Sequence, residues 1–135
     1  MSFPSKTDYE QLIYTLSQTH PAIVSSSLHL YTISQGTAIV KGSIYFKNGL
    51  ELRVNEIIDF VAGHISDYSY TVFRDKERIR WYDPQPHPEL TELASTFPHH
   101  YHQPPDIKHN RRPAPGISFG EPNLSALIAD IAAIE

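Results

Sequence analysis

Four of the chain's eight histidines, His99, His100, His102 and His109, fall within eleven consecutive positions of the stretch "TFPHHYHQPPDIKHNRR", residues 96–112. Imidazole exchanges its proton near neutral pH and binds divalent metals when neutral, so such a cluster suits proton transfer, metal binding or phosphate contact. For a metal, His99, His100 and His102 could be joined by His87, His109, Asp83 or Asp106. The spacing does not favour it. There is no i, i+4 histidine pair of the helical zinc type, and no cysteine anywhere in the chain to supply a thiolate. Adjacent residues such as His99 and His100 rarely both reach one ion from extended backbone. A structural use, with the rings bonding backbone and covering a sheet edge, stays open. The expectation adopted is metal-free proton transfer, with no cofactor.

A second group lies just upstream, in "ERIRWYDP". On a strand, Arg78, Arg80 and Tyr82 would share one face, and Ile79 and Trp81 the other. If the apolar pair turns to the core, the two guanidinium groups and the phenol face outward. Arginine grips phosphate with a planar fork, and a tyrosine ring can stack on a base. Downstream, "KHNRR" adds Lys108, Arg111 and Arg112. Seven of the eleven basic residues fall between Arg74 and Arg112, but six acidic ones share that interval, so the patch is only slightly positive.

Two helices and a sheet must hold these groups. In "TDYEQLIYTLSQTHP", Thr7 and Glu10 have capping-box spacing, and Tyr9, Leu12, Ile13 and Leu16 repeat on one face; this predicts a helix over 5–19, stopped by Pro21. In "EPNLSALIADIAAIE", Asn123 as a cap and Leu124, Leu127, Ile128 and Ile131 as a stripe predict another over 123–134. Between them, alternating runs flank Asn48-Gly49, a strong hairpin signal. A second hairpin turns near Asp75-Lys76, and an earlier strand runs through "SSSLHLYTI" to a turn at Gln35-Gly36. The expectation is one α+β domain over 1–135. It has an antiparallel meander of about five strands across 23–82, with the two helices on one face. Nine of the eleven prolines lie between Pro84 and Pro122, so residues 83–121 are expected to be a loop outside the sheet, ordered by its aromatic rings.

Composition narrows the function. A net charge of −4 argues against general attraction to nucleic acid and confines any such contact to a patch. No apolar run is long enough for a membrane-spanning helix, and the absence of cysteine fits a cytoplasmic protein.

The order from "RIRWYDPQPHPELTELASTFPHHYH" onward is an Arg, a Tyr-Asp pair, a His, a Phe-Pro-His-His-x-His block, a loop and a short helix. It resembles the TumE-type toxins of bacterial toxin–antitoxin pairs, from about Gly42 to the C-terminus. The matching positions are Arg80, Tyr82, Asp83, His87, Phe97, Pro98, His99, His100 and His102. One departs: Tyr101 stands where the family pattern has a lysine. The resemblance implies a toxin partnered by an antitoxin with a helix-turn-helix domain. RNA brings its own nucleophile in the 2′-OH, so cleavage needs a base, an acid and a cation for the developing phosphorane charge. The expected catalytic set is His100 and His102 for the protons, Arg80 for charge and Tyr82 for positioning. Asp83, His87, His99, Lys108, Arg111 and Arg112 are expected to bind substrate. A non-catalytic binding module and a metal-dependent nuclease or hydrolase are the rival readings.

Overall fold

The structure, a computed structural model, describes residues 3–135. Strands β1 (Ile23–Ser26), β2 (His29–Ser34), β3 (Thr37–Phe46), β4 (Glu51–Asp59), β5 (His64–Arg74), β6 (Glu77–Asp83), β7 (His100–His102) and β8 (Arg111–Pro113) form one antiparallel sheet. Helices α1 (Lys6–Tyr14) and α2 (Leu16–Thr19) precede it, and α3 (Leu124–Ala132) follows it. The architecture is α+β as expected, but with eight strands rather than five.

Two causes account for the difference. The strand expected in "SSSLHLYTI" is broken in two, and both halves pair with β3. The break lies opposite Gly42, whose φ of 142° belongs to glycine, and a Cβ there would stand 2.5 Å from the carbonyl oxygen of Ser27. The proline-rich segment also contributes β7 and β8, each three residues long. Prolines flank these strands and leave their ladder donors free; Pro113 closes the edge strand, where a missing N–H costs no pairing.

The hairpins form where the turn chemistry puts them. β3 and β4 pair from Thr37↔Asp59 to Tyr45↔Glu51 around Asn48-Gly49, with Gly49 at φ 88°. The Asn48 side chain accepts from Leu50 N–H and donates to the carbonyl of Ile131, tying the turn to α3. Asp75 and Lys76 both take positive φ between β5 and β6, as a tight type I′ turn requires.

All three helices lie on one face of the sheet. Tyr9, Ile13 and Leu16 from the N-terminal helices, and Leu124, Leu127, Ile128 and Ile131 from α3, join Val40, Leu52, Val54, Ile58, Tyr70 and Val72 in the core. The single expected N-terminal helix is interrupted at Thr15, whose hydroxyl bonds back to Gln11 O, and its cap is Ser5, not Thr7. Asn123 precedes α3, but its side chain does not cap it. It is buried, accepting from Ser118 N–H and donating to Ser118 O and the Tyr70 hydroxyl.

Candidate functional site

β6 and β7 are neighbours, with Trp81↔His102, Tyr82↔Tyr101 and Asp83↔His100 in register. Alternation then sends Trp81, Asp83, His100 and His102 to one face, and Tyr82 and Tyr101 to the helix-covered one. On the first face the polar groups converge. His102 Nε2 is 2.9 Å from Asp83 Oδ2, His100 Nε2 is 3.2 Å from Asp83 Oδ1, and the two Nε2 atoms are 3.2 Å apart. Both imidazoles are almost fully buried, at 1% and 3% exposure.

Each ring is fixed from behind. His100 Nδ1 donates to the Pro98 carbonyl at 3.1 Å, which assigns the tautomer of the neutral ring. His102 Nδ1 is buried without a protein partner, and its ring is held by stacking on Trp81, centroids 4.4 Å apart. Asp83 also accepts from Gln85 N–H, closing a turn into the proline-rich segment. Burial works to raise the Asp83 pKa, but the two imidazoles that face it and the Gln85 N–H outweigh burial and hold the group well below the usual carboxylate range. His87 stands edge-on to His100, centroids 5.2 Å apart, with its Nδ1 3.3 Å from Glu89.

The expected site residues divide. Asp83, His87, His100 and His102 come together. Arg80 and Tyr82 do not join them. A β-bulge at Ile79 places Arg78 opposite Phe73 and Arg80 opposite Val72, so the two arginines face opposite ways. Arg80 lies over the Tyr101 ring and donates to the Tyr82 hydroxyl, 3.5 Å from Asp130 of α3. Burial raises the Tyr82 pKa to about 12, with Arg80 pulling the other way. His99 is turned aside as well, its Nδ1 2.5 Å from the Tyr68 hydroxyl and its ring packed with Tyr68 and Phe119. Burial, then the charge of His100, lowers its pKa. Of the downstream cations, Arg111 pairs with His102 across β7–β8 and shares its face, whereas Arg112 pairs with Tyr101 on the other and Lys108 is exposed in the loop.

The strand alternation that would group Trp81 with Ile79 does not hold, and Trp81 turns away from the core. It carries His102 on its ring and the Arg78 guanidinium 4.9 Å from its centroid. The bulge is the reason: simple alternation places Arg78 with Arg80, and one extra residue reverses that assignment. The uncovered face continues from this centre across β5, β4 and β3. A depression of about 420 Å³ lined by Trp81, Asp83, Asp67 and Ser69 leads to smaller ones lined by Asn55, Arg53 and Lys41.

A buried carboxylate–diimidazole centre at the rim of an open, partly cationic sheet face has groups that can exchange protons or hold a cation. A family model described as Toxin TumE matches residues 11–135. No curated protein and no solved structure matches the chain. The chain belongs to the TumE toxin family, which makes it the toxin of a toxin–antitoxin pair with an antitoxin as its partner. Among the described residues, no helix is long and apolar enough to cross a membrane.

Proposed function

We propose that this toxin acts by cleaving RNA at the Asp83–His100–His102 centre. The observation that carries the reading is the position of that centre. It ends a continuous open sheet face on which Lys41, Arg53 and Arg78 stand beside exposed polar groups and the Trp81 ring. A flexible single strand can lie along such a face, with phosphates near the cations and a base against the indole. Arg111, on the strand next to His102, replaces Arg80 as the guanidinium placed to meet a phosphate, and its Nε is buried with no protein partner. His87, paired through Nδ1 with Glu89, has its Nε2 left to exchange a proton with the substrate. The expected metal-free role for His100 and His102 meets a difficulty in the donor geometry, since both Nε2 atoms are turned on Asp83 and on each other. A helix-turn-helix antitoxin partner follows from the resemblance.

Incubating purified toxin with total RNA tests the reading. Discrete fragments are expected, suppressed by the antitoxin, with the rate falling at least about 10²-fold in His87→Ala and fragments lost in His100→Ala and His102→Ala. Intact RNA beside a folded toxin that still arrests growth counts against cleavage and favours a blocking module.

A further inference from the structure

The centre has too many lone pairs for its protons. His100 Nδ1 carries the hydrogen given to Pro98 O, so in the neutral ring Nε2 is bare, and it faces a carboxylate oxygen at 3.2 Å. Protonating it places an imidazolium at 1% exposure, with its Nε2–H directed toward the Nε2 of His102, 3.2 Å away, which also has to donate to Asp83. The first assignment sets lone pair against lone pair, and the second crowds two N–H groups into one buried gap even as the imidazolium faces the Asp83 carboxylate.

A cation between the three side chains removes both conflicts. It takes the lone pairs of the two Nε2 atoms and the carboxylate, and leaves the His100 Nδ1–H on a backbone carbonyl, the usual outer partner of a metal-bound imidazole. The separations agree. Donor atoms around an ion at roughly 2.1 Å lie about 3.0 Å apart in an octahedron and about 3.4 Å apart in a tetrahedron. The two Nε2 atoms, 3.2 Å apart, fall at the middle of that interval, and the contacts to Asp83, 3.2 Å to Oδ1 and 2.9 Å to Oδ2, lie within it or about 0.1 Å short of it. Asp83, His100 and His102 are also the buried group among the described residues whose ligand atoms converge closely enough for an ion.

We propose that Asp83, His100 and His102 bind one divalent first-row transition ion, of the zinc, manganese, iron(II) or cobalt(II) kind. Two imidazoles and one carboxylate on one side of an ion leave its other positions open, and of the three ligands Asp83 borders the depression beside Trp81. Magnesium and calcium, which prefer all-oxygen sites, fit this donor set less well. Sequence spacing concealed the site because it is assembled across a strand pair, with an i, i+2 histidine couple on β7 meeting a carboxylate on β6.

Trp81 supplies the measurement, being the chain's one tryptophan and stacked on a proposed ligand. Chelator-treated protein is titrated with cobalt(II), following indole fluorescence and the visible absorption of the bound ion. Saturable quenching at one equivalent per chain is expected, reversed by zinc(II). Asp83→Asn, close to the native shape, and His102→Ala should each weaken binding at least 10–100-fold. His109→Ala, at the exposed His109–Asp106 pair, should leave it unchanged. Circular dichroism establishes that each variant is folded. Absence of saturable quenching in the folded parent, or quenching that survives in a folded His100→Ala/His102→Ala double variant, overturns the metal site. The RNA reading fails separately: cobalt binding without RNA fragments removes cleavage and keeps the ion, and fragments in chelator without cobalt binding do the reverse.

Discussion

Glu56 is sealed in the core, and its two oxygens accept hydrogen bonds from the Tyr9 hydroxyl at 2.6 Å and from the Tyr70 hydroxyl, which Asn123 in turn supports. Burial raises its pKa, although the two phenol bonds pull the other way. The sign of the pH effect follows. Between the unfolded and folded pKa the native state holds the extra proton, so stability is full below the unfolded value and falls as pH rises through the folded one. Glu56→Gln removes that titration and keeps a hydrogen-bonding group. Denaturant melts from acid to neutral pH should show the parent losing stability relative to the variant as pH rises above the ordinary glutamate pKa; equal slopes would place the pH dependence elsewhere. At the centre, Arg111→Lys keeps the charge and loses the planar fork. RNA cleavage by this variant should drop about tenfold or more while its melting temperature stays near the parent's. An unchanged rate would remove Arg111 from phosphate contact.

Among the elements, α3 carries a stripe that periodicity alone identifies. Leu124, Leu127, Ile128 and Ile131 are all buried, because a 3.6-residue repeat has one way to meet a flat apolar sheet. Leu127→Ala should cost about 2–5 kcal/mol, read as a lower denaturant midpoint with an unchanged slope. Gly42→Ala tests the broken edge strand. The added Cβ meets Ser27 backbone, so loss of hydrogen-exchange protection in β1 and β2 should exceed that in β4 and β5. The hairpins at Asn48-Gly49 and Asp75-Lys76 were legible for a local reason, that their turn residues tolerate positive φ. β7 and β8 were not, because three-residue strands between prolines have no periodicity of their own and exist only through their neighbours. The centre was half legible on the same logic. Residue types marked Asp83, His87, His100 and His102, whereas the bulge at Ile79, set by tertiary pairing, moved Arg80 and Tyr82 away and brought Trp81 in.

On the scale of the whole molecule, the sheet has a covered face that supplies stability and an uncovered face that ends in the centre. The net charge of −4 suits an antitoxin with a basic contact surface, and co-expression should give one complex on size exclusion that separates as salt is raised. Two folded proteins eluting apart at low salt would oppose that pairing. The junction of the two faces has a consequence for how the gene can drift. Tyr82 and Asp83 are consecutive yet serve opposite sides, as do His100 and Tyr101. Residues gained or lost in the exposed turn 104–108 between β7 and β8 leave the β6–β7 pairing in place. Within Trp81–Asp83 or His100–His102, however, a single inserted or deleted codon exchanges the sides. The imidazoles then enter the apolar layer and the tyrosines leave it, so length at these six positions is under tighter constraint than identity at most others.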